Sequence, residues 1–554
     1  MTAKADPQIS SGAHRDGQRF LGGAAILVAL VCAMPMIAVL IAALGGGTQT
    51  VQHLIGTVLG RYTATTLTLV GIVSTGTFAI GVGAAWLVTM TRFPGVRWLE
   101  IALVLPLAFP AYVLAYAYTH VLDHPGIVQT ALRDVTGWGP RDYWFPEIRS
   151  LGGAAAMLTL VLYPYVYLLA RAAFLQQSGT TFLAARALGS SAWAAFFKVS
   201  LPLARPAIAG GVLLAVMETI ADFGTVAYFG VQTFATGIYT AWFSMFDRAA
   251  AAQLALCLLS FALLLAMLER MQRGRAKYHD GTRRAEPLPP MELTGWRAAL
   301  ALTGCLIPVV FGAVLPIVVL FWMGLGSEQN LLSPRYLGFI RNSLTLAGVA
   351  AVLTVVAAIA VGFYLRLRPG RLSFGAAYVA RLGYAVPGGV IAVGLLVPFA
   401  LFDNALDAWM RSTFDISTGL LVTGSIWLLV AAYMVRFLAA ALGAYEGGQA
   451  MVHANMDAAA RSLGQTPLGT LRRVHLPILA PSLLTALLIV FVDVMKELPA
   501  TLIMRPFNFD TLAVQAYRLA SDERLEGAAV PSLVIVAMGL LPVILICRQV
   551  GRQR

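Results

Sequence analysis

Charged side chains are absent from ten long stretches of the chain: Phe20–Gly60, Tyr62–Thr91, Ile101–Leu122, Ser150–Ala170, Ala249–Leu268, Ala298–Ser327, Asn342–Leu365, Leu382–Phe402, Ile416–Val435 and Gly527–Cys547. Each reaches the roughly 20 residues that a helix rising 1.5 Å per residue needs to cross about 30 Å of hydrocarbon. Two further apolar stretches begin near Pro206 and Pro477 and carry charge only in their second halves. Backbone groups in lipid must bond within their own segment, and these runs lack the alternation of a barrel strand, so twelve transmembrane helices are expected. The fold class is all-α, polytopic membrane protein.

Composition agrees. Of 554 residues, 59% are apolar and only 12% charged, with mean hydropathy +0.77. A soluble domain carries about a quarter charged residues, so a soluble enzyme, a disordered tail and a disulfide scaffold are excluded. The net charge of +13 does not point to nucleic acid, because the basic residues lie between apolar runs rather than in one patch. Threading twelve spans puts Arg92, Arg97, Arg186, Lys198, Arg205, Arg366, Arg368, Arg371, Arg461, Arg472 and Arg473 on one side, which makes that side and both termini cytoplasmic. The first apolar run is too long for a cleaved leader, whose core is about 7–15 residues, and reads as a retained span. Cys32, Cys257, Cys305 and Cys547 fall in apolar runs without metal-type spacing and read as small core residues. Trp86, Trp242 and Tyr517 near span ends fit an interfacial belt, and the glycines from Gly71 to Gly83 fit close helix contact.

The chain repeats itself. Ala184-Ala185-Arg186-Ala187-Leu188-Gly189, nine residues, then Val199-Ser200-Leu201-Pro202 is matched by Ala459-Ala460-Arg461-Ser462-Leu463-Gly464, nine residues, then Val474-His475-Leu476-Pro477. The offset is 275 residues throughout, and Pro110 and Pro387 correspond at nearly the same spacing. The expected organisation is a tail (1–19), a first six-span repeat (20–269, loop 180–205), a basic linker (270–297) and a second repeat (298–554, loop 455–480). Each loop should hold a short helix stopped by glycine in the left-handed conformation, then a second helix ending at Leu-Pro. One such projection per half suits a two-fold partner below the membrane. A helix lying in the headgroups is the alternative, and it gives no reason for identical spacing. His475 reads as a loop hydrogen-bonder.

These loops resemble the Glu-Ala-Ala coupling loop of permease subunits in ATP-driven (ABC) importers. The resemblance implies that each loop, through Ala184, Ala185, Arg186, Gly189 and Pro202 or Ala459, Ala460, Arg461, Gly464 and Pro477, seats on one subunit of a cytosolic ATPase dimer. The glutamate position is occupied by Leu183 and Ala458, with Asp457 one residue earlier. None of the four lysines, Lys4, Lys198, Lys277 and Lys496, stands in a phosphate-binding Gly-x-x-x-x-Gly-Lys-Ser/Thr loop. ATP and Mg therefore belong to the partner, and this chain is a transport subunit with no cofactor or catalytic residue of its own.

Four carboxylates lie in the charged spans: Glu218 and Asp222, about 18 and 24 Å along a helix from Pro206, and Asp493 and Glu497 at the same 275-residue offset. A charge in a span costs about 2.5–3.5 kcal/mol, so these four need a water-filled cavity or partners. Spaced i, i+4, each pair should share a helix face and line a cation pathway. Two other readings stand: an ion-pair network with Lys496 that fixes the helices, or an outer-interface position for Asp222 and Glu497. Gly224, Gly230, Pro499 and Pro506 should end or bend the helices. The segments Glu218–Val226, Met495–Leu502 and Phe509–Ala513 resemble the fused permeases of bacterial ferric-iron (Fe3+) importers. That implies an inner-membrane location, a periplasmic binding protein and iron as cargo; thiamine permeases share the layout. A proton-coupled secondary transporter of two six-span halves is the alternative from another class, and it leaves the twin loops unexplained.

Overall fold

A computed structural model describes residues 7–177, 187–275, 291–330 and 332–552. The protein is all-α, with eleven helices long and apolar enough to cross a membrane among the described residues. The bent pair Val96–Ala108 and Ala111–Thr136, whose parts meet at 94°, brings the number to twelve when it is counted as one span. The sequence predicts one straight helix over Ile101–Leu122, but the chain breaks at Phe109-Pro110, where Phe109 is extended. Proline lacks an N–H and forces its predecessor out of the helical region. The same break recurs at Val386-Pro387, so the ninth span begins at Gly388 rather than Leu382.

That ninth helix, Gly388–Phe414, also runs beyond Phe402. Asp403 and Asp407, one turn apart near its end, bind the following loop by its backbone. Asp403 accepts from Val422 N and Thr423 N, and Asp407 from Thr418 N (2.7 Å) and Gly419 N (2.9 Å). Residues 417–425 are thereby held as a loop, and the next helix is Ile426–Gln449 instead of starting at Ile416.

The described residues fall into two compact units, and these do not follow the two sequence halves. The first comprises Met1–Val51, Ala241–Leu259 and Pro334–Thr511; the second comprises Gln52–Thr240, Ser260–Ser333 and Leu512–Arg554. Each takes its central spans from one half and its outermost spans largely from the other. Small residues let the exchanged spans approach their neighbours closely. In the first unit, a side chain on Gly394 would meet the Pro35 carbonyl at 2.3 Å, and one on Gly22 would meet Tyr364 at 3.0 Å. In the second, Gly539 backs onto the Ala108 carbonyl and Gly312 onto Pro106. Gly76 and Gly81 likewise let helix Gly60–Met90 approach Thr159 and Val166 of helix Leu151–Gln176. Trp86 is not interfacial: it is 4% exposed and packs on Phe196 and Phe174. Cys32 and Cys305 are buried, and Cys257 is exposed.

Each unit carries one short helix tied to a long span by an ion pair of opposite sense. In the second unit, Glu100 on helix Val96–Ala102 meets Arg171 on helix Leu151–Gln176 at 2.8 Å. In the first, Arg381 on helix Arg371–Leu382 meets Glu446 on helix Ile426–Gln449. The second unit also pairs Thr91–Arg92 with Met291–Glu292 as a minimal parallel ribbon, so the end of the linker is fastened beside the first Arg-rich loop.

Candidate coupling loops and intramembrane carboxylates

In the first unit, helix Ala454–Ser462 stops at Gly464, which takes φ +73°. Gln465 N donates to Ala460 O and Gly464 N to Arg461 O, both at 3.0 Å, so the last carbonyls are satisfied by a left-handed cap. Thr466 then caps Pro467–Thr470, and a wide π turn, Leu471–His475, leads into helix Leu476–Met495. The π turn has a local cause: Pro477 cannot donate, and its ring would clash with the carbonyl four residues back in a regular helix. Ala459 and Arg461 are exposed and Ala460 is buried.

From residue 187 onward, the second unit repeats this backbone 275 residues earlier. Gly189 has φ +86°, Phe196–Ser200 forms the π turn, and Pro202 lies in the first turn of helix Leu201–Ala221. Ala184, Ala185 and Arg186 lie outside the described residues. Exposed apolar side chains recur at matching places: Leu188 (86%) with Leu463 (78%), and Trp193 (64%) with Leu468 (51%).

The anchors beneath the two loops differ. Phe196 is buried against Trp86 at 4.2 Å and Phe197 at 4.9 Å. In the first unit, Asp457 binds Arg366 at 2.7 Å and His475 at 2.7 Å. Burial alone would raise the Asp457 pKa, but the hydrogen bonds from His475 and Arg366 outweigh it and hold the carboxyl below its usual range. His475 is thus a loop hydrogen-bonder, as its sequence position suggests.

The four carboxylates do not form two i, i+4 pairs on continuous helices, because each helix ends inside its pair. Helix Leu201–Ala221 stops before Asp222, and Leu476–Met495 stops before Glu497. Asp222 accepts from Thr225 N (3.1 Å), Val226 N (3.2 Å) and Thr225 Oγ1. Glu497 accepts from Ala500 N (3.0 Å), Thr501 N (3.1 Å) and Thr501 Oγ1. These are the same backbone amides in the 275-residue register. Both acids satisfy the exposed amides of the short helices Gly224–Tyr228 and Pro499–Met504. Sequence spacing could not reveal this, since a cap and a helix-face residue look alike. Tyr433 extends the second cap through Thr501 Oγ1 at 2.6 Å. Asp493 pairs with Lys496 at 3.0 Å, and Glu218 is half-buried in its helix.

A further site was not visible in the sequence. Arg149 binds both carboxylate oxygens of Glu523 (2.6 and 2.8 Å) and also Asp123 (2.9 Å), beside a pocket of about 530 Å³ that includes His120, Glu328 and Glu526. The hydrogen bond from Arg149 holds the Glu523 carboxyl below its ordinary pKa. Among the described residues, no three His, Cys, Asp or Glu side chains are grouped to hold a metal ion.

Residues 77–277 match the family described as the binding-protein-dependent transport system inner membrane component. Residues 77–277 are thus a permease domain of the binding-protein-dependent type. The chain is 25% identical over 530 residues to the Fe(3+)-transport system permease protein FbpB 2 of Haemophilus influenzae, covering 94% of this chain and 96% of that one. It is 23% identical over 556 residues to the ferric transport system permease protein FbpB of Actinobacillus pleuropneumoniae, covering 94% and 77%. It is also 26% identical over 261 residues to the putative 2-aminoethylphosphonate transport system permease protein PhnV of Salmonella typhimurium; there 44% of this chain spans 91% of the relative. The match and the apolar helices make it a multi-pass inner-membrane protein.

Proposed function

We propose that the permease moves ferric iron, delivered by a periplasmic binding protein, into the cytoplasm by alternating access driven by a cytosolic ATPase dimer. The observation that carries this reading is the pair of loops with one backbone: left-handed glycine, π turn and Leu-Pro, with exposed Leu188 and Leu463 at equivalent places. One loop per half offers two matched seats, one for each ATPase subunit, and in this reading the loops and both termini face the cytoplasm, the side to which the Lys and Arg of the short loops assign them. The PhnV alignment supports duplication, since less than half of this chain accounts for nearly all of that protein. Cargo follows the two ferric-transport relatives that align along nearly the whole chain. Glu218 and Asp493 are proposed to touch the cation in transit, while Asp222 and Glu497 hold the helix breaks that shape its route.

The test is uptake of radiolabelled ferric iron and thiamine into proteoliposomes holding the permease, its ATPase and its binding protein. Iron uptake should require ATP and all three components. It should fall at least about tenfold in the Leu188→Asp, Leu463→Asp double variant, with ATPase lost from the complex. Uptake of thiamine instead, or uptake by the permease alone, would refute the reading. A Glu218→Ala variant that transports at the wild-type rate would remove that residue from the pathway.

A further inference from the structure

Asp457 is the acid of the second coupling loop, and its surroundings decide which way it acts. Its Oδ2 accepts from Arg366 Nε (2.8 Å) and lies 2.7 Å from the terminal nitrogen Nη2; its Oδ1 lies 2.7 Å from His475 Nε2. A carboxylate can only accept, so that imidazole nitrogen carries the proton and donates. His475 has no exposed surface, its Nδ1 has no partner, and its ring stands edge-on to Phe363 at 4.9 Å. Arg366 in turn donates to the carbonyls of Val452 (2.8 Å) and Gln449 (3.4 Å). Four elements are therefore joined through one charged node: helix Pro334–Leu367, the coupling helix Ala454–Ser462 and the π turn that starts Leu476–Met495 meet at the Asp457 carboxylate, and the end of Ile426–Gln449 with its following turn is tied in through Arg366. The exposed side of the loop is formed by other residues, among them Arg461, Leu463 and Leu468.

We infer that Asp457 is a positioning residue, a strut that faces inward and makes the second coupling loop move as one body with helices Pro334–Leu367 and Leu476–Met495. Its carboxylate does not contact the ATPase. The inference rests on the reading of 454–477 as a coupling loop. It also makes the two loops mechanically unequal, because the residues at the same offset in the first half are Thr91, Phe182 and Ser200, which cannot build this charged node.

The experiment uses the reconstituted complex and reads three quantities: ATPase retained on purification, ATP hydrolysed, and ferric iron taken up. Asp457→Ala should keep the ATPase at wild-type stoichiometry while ATP consumed per iron rises about tenfold. Asp457→Glu should restore most of the ratio. Arg366→Lys, which keeps charge but cannot reach all three acceptors, should raise it as Asp457→Ala does, and it serves if Asp457→Ala does not reach the membrane. Loss of ATPase from Asp457→Ala, or an unchanged ratio in Asp457→Ala or Arg366→Lys, overturns the inference. Leu463→Asp separates the two levels. If it leaves the ATPase bound and coupled, the coupling-loop reading fails; if it releases the ATPase while Asp457→Ala leaves the ratio unchanged, only the strut fails.

Discussion

The two candidate coupling loops share a backbone over residues 187–202 and 462–477 and differ in what holds it. In the first half, the loop is anchored by an aromatic cluster, with Phe196 against Trp86 and Phe197. In the second, Arg366, Asp457 and His475 do the same with charge. The shared features are those that sequence dictates locally: a glycine where φ is positive and a proline that widens the preceding turn. The anchors come from distant helices and are free to diverge as long as the loop stays in place. Backbone shape is therefore the constrained property, and the chemistry beneath it is replaceable.

The largest effect should come from the aromatic side. Phe196→Ala removes a buried ring and should cost about 3–5 kcal/mol of stability. A spin label at position 188 should become mobile while one at 463 stays ordered, and the loss should not depend on salt. Equal ordering at 188 before and after the change would mean that the cluster is not the anchor.

Acidification should act only on the other loop. The Asp457 carboxyl is held below its usual range, so its ties stabilise the loop above about pH 4 and are lost as pH falls through the depressed value. The loss should be about 1–3 kcal/mol and should appear as mobility of a label at 463 but not at 188. Simultaneous loosening of both loops would show that charge does not distinguish them.

The smallest effect should be the same in both. Gly189→Ala and Gly464→Ala each force a side chain into the left-handed region, at φ +86° and +73°, with open space around it, at a cost of about 1–2 kcal/mol. Thermal unfolding of the two variants should shift equally. A large difference would mean that the loops do not share one backbone.

Much of this was legible in the chain. Absent charge marks the spans, and the 275-residue register marks the loops, because hydrophobic burial and glycine or proline geometry act over a few residues. The breaks before Pro110 and Pro387 were readable in principle from the prolines, yet the apolar run through Ile101–Leu122 hid the first of them. Asp222 and Glu497 looked like helix-face residues because no sequence rule says which residue ends a helix in lipid. The inward placement of Trp86, the Arg149 clasp and the exchange of outer spans depend on contacts between residues far apart in sequence, which hydropathy cannot encode.

The reversed polarity of the two short-helix ion pairs has a consequence for assembly. Two homologous halves within one polypeptide risk docking each other's elements while the chain is being inserted. Were helix Val96–Ala102 to land on the tenth span, Glu100 would confront Glu446; were Arg371–Leu382 to land on the fourth, Arg381 would confront Arg171. Correct partners attract and crossed partners repel, so each amphipathic segment carries an address that its duplicate cannot answer.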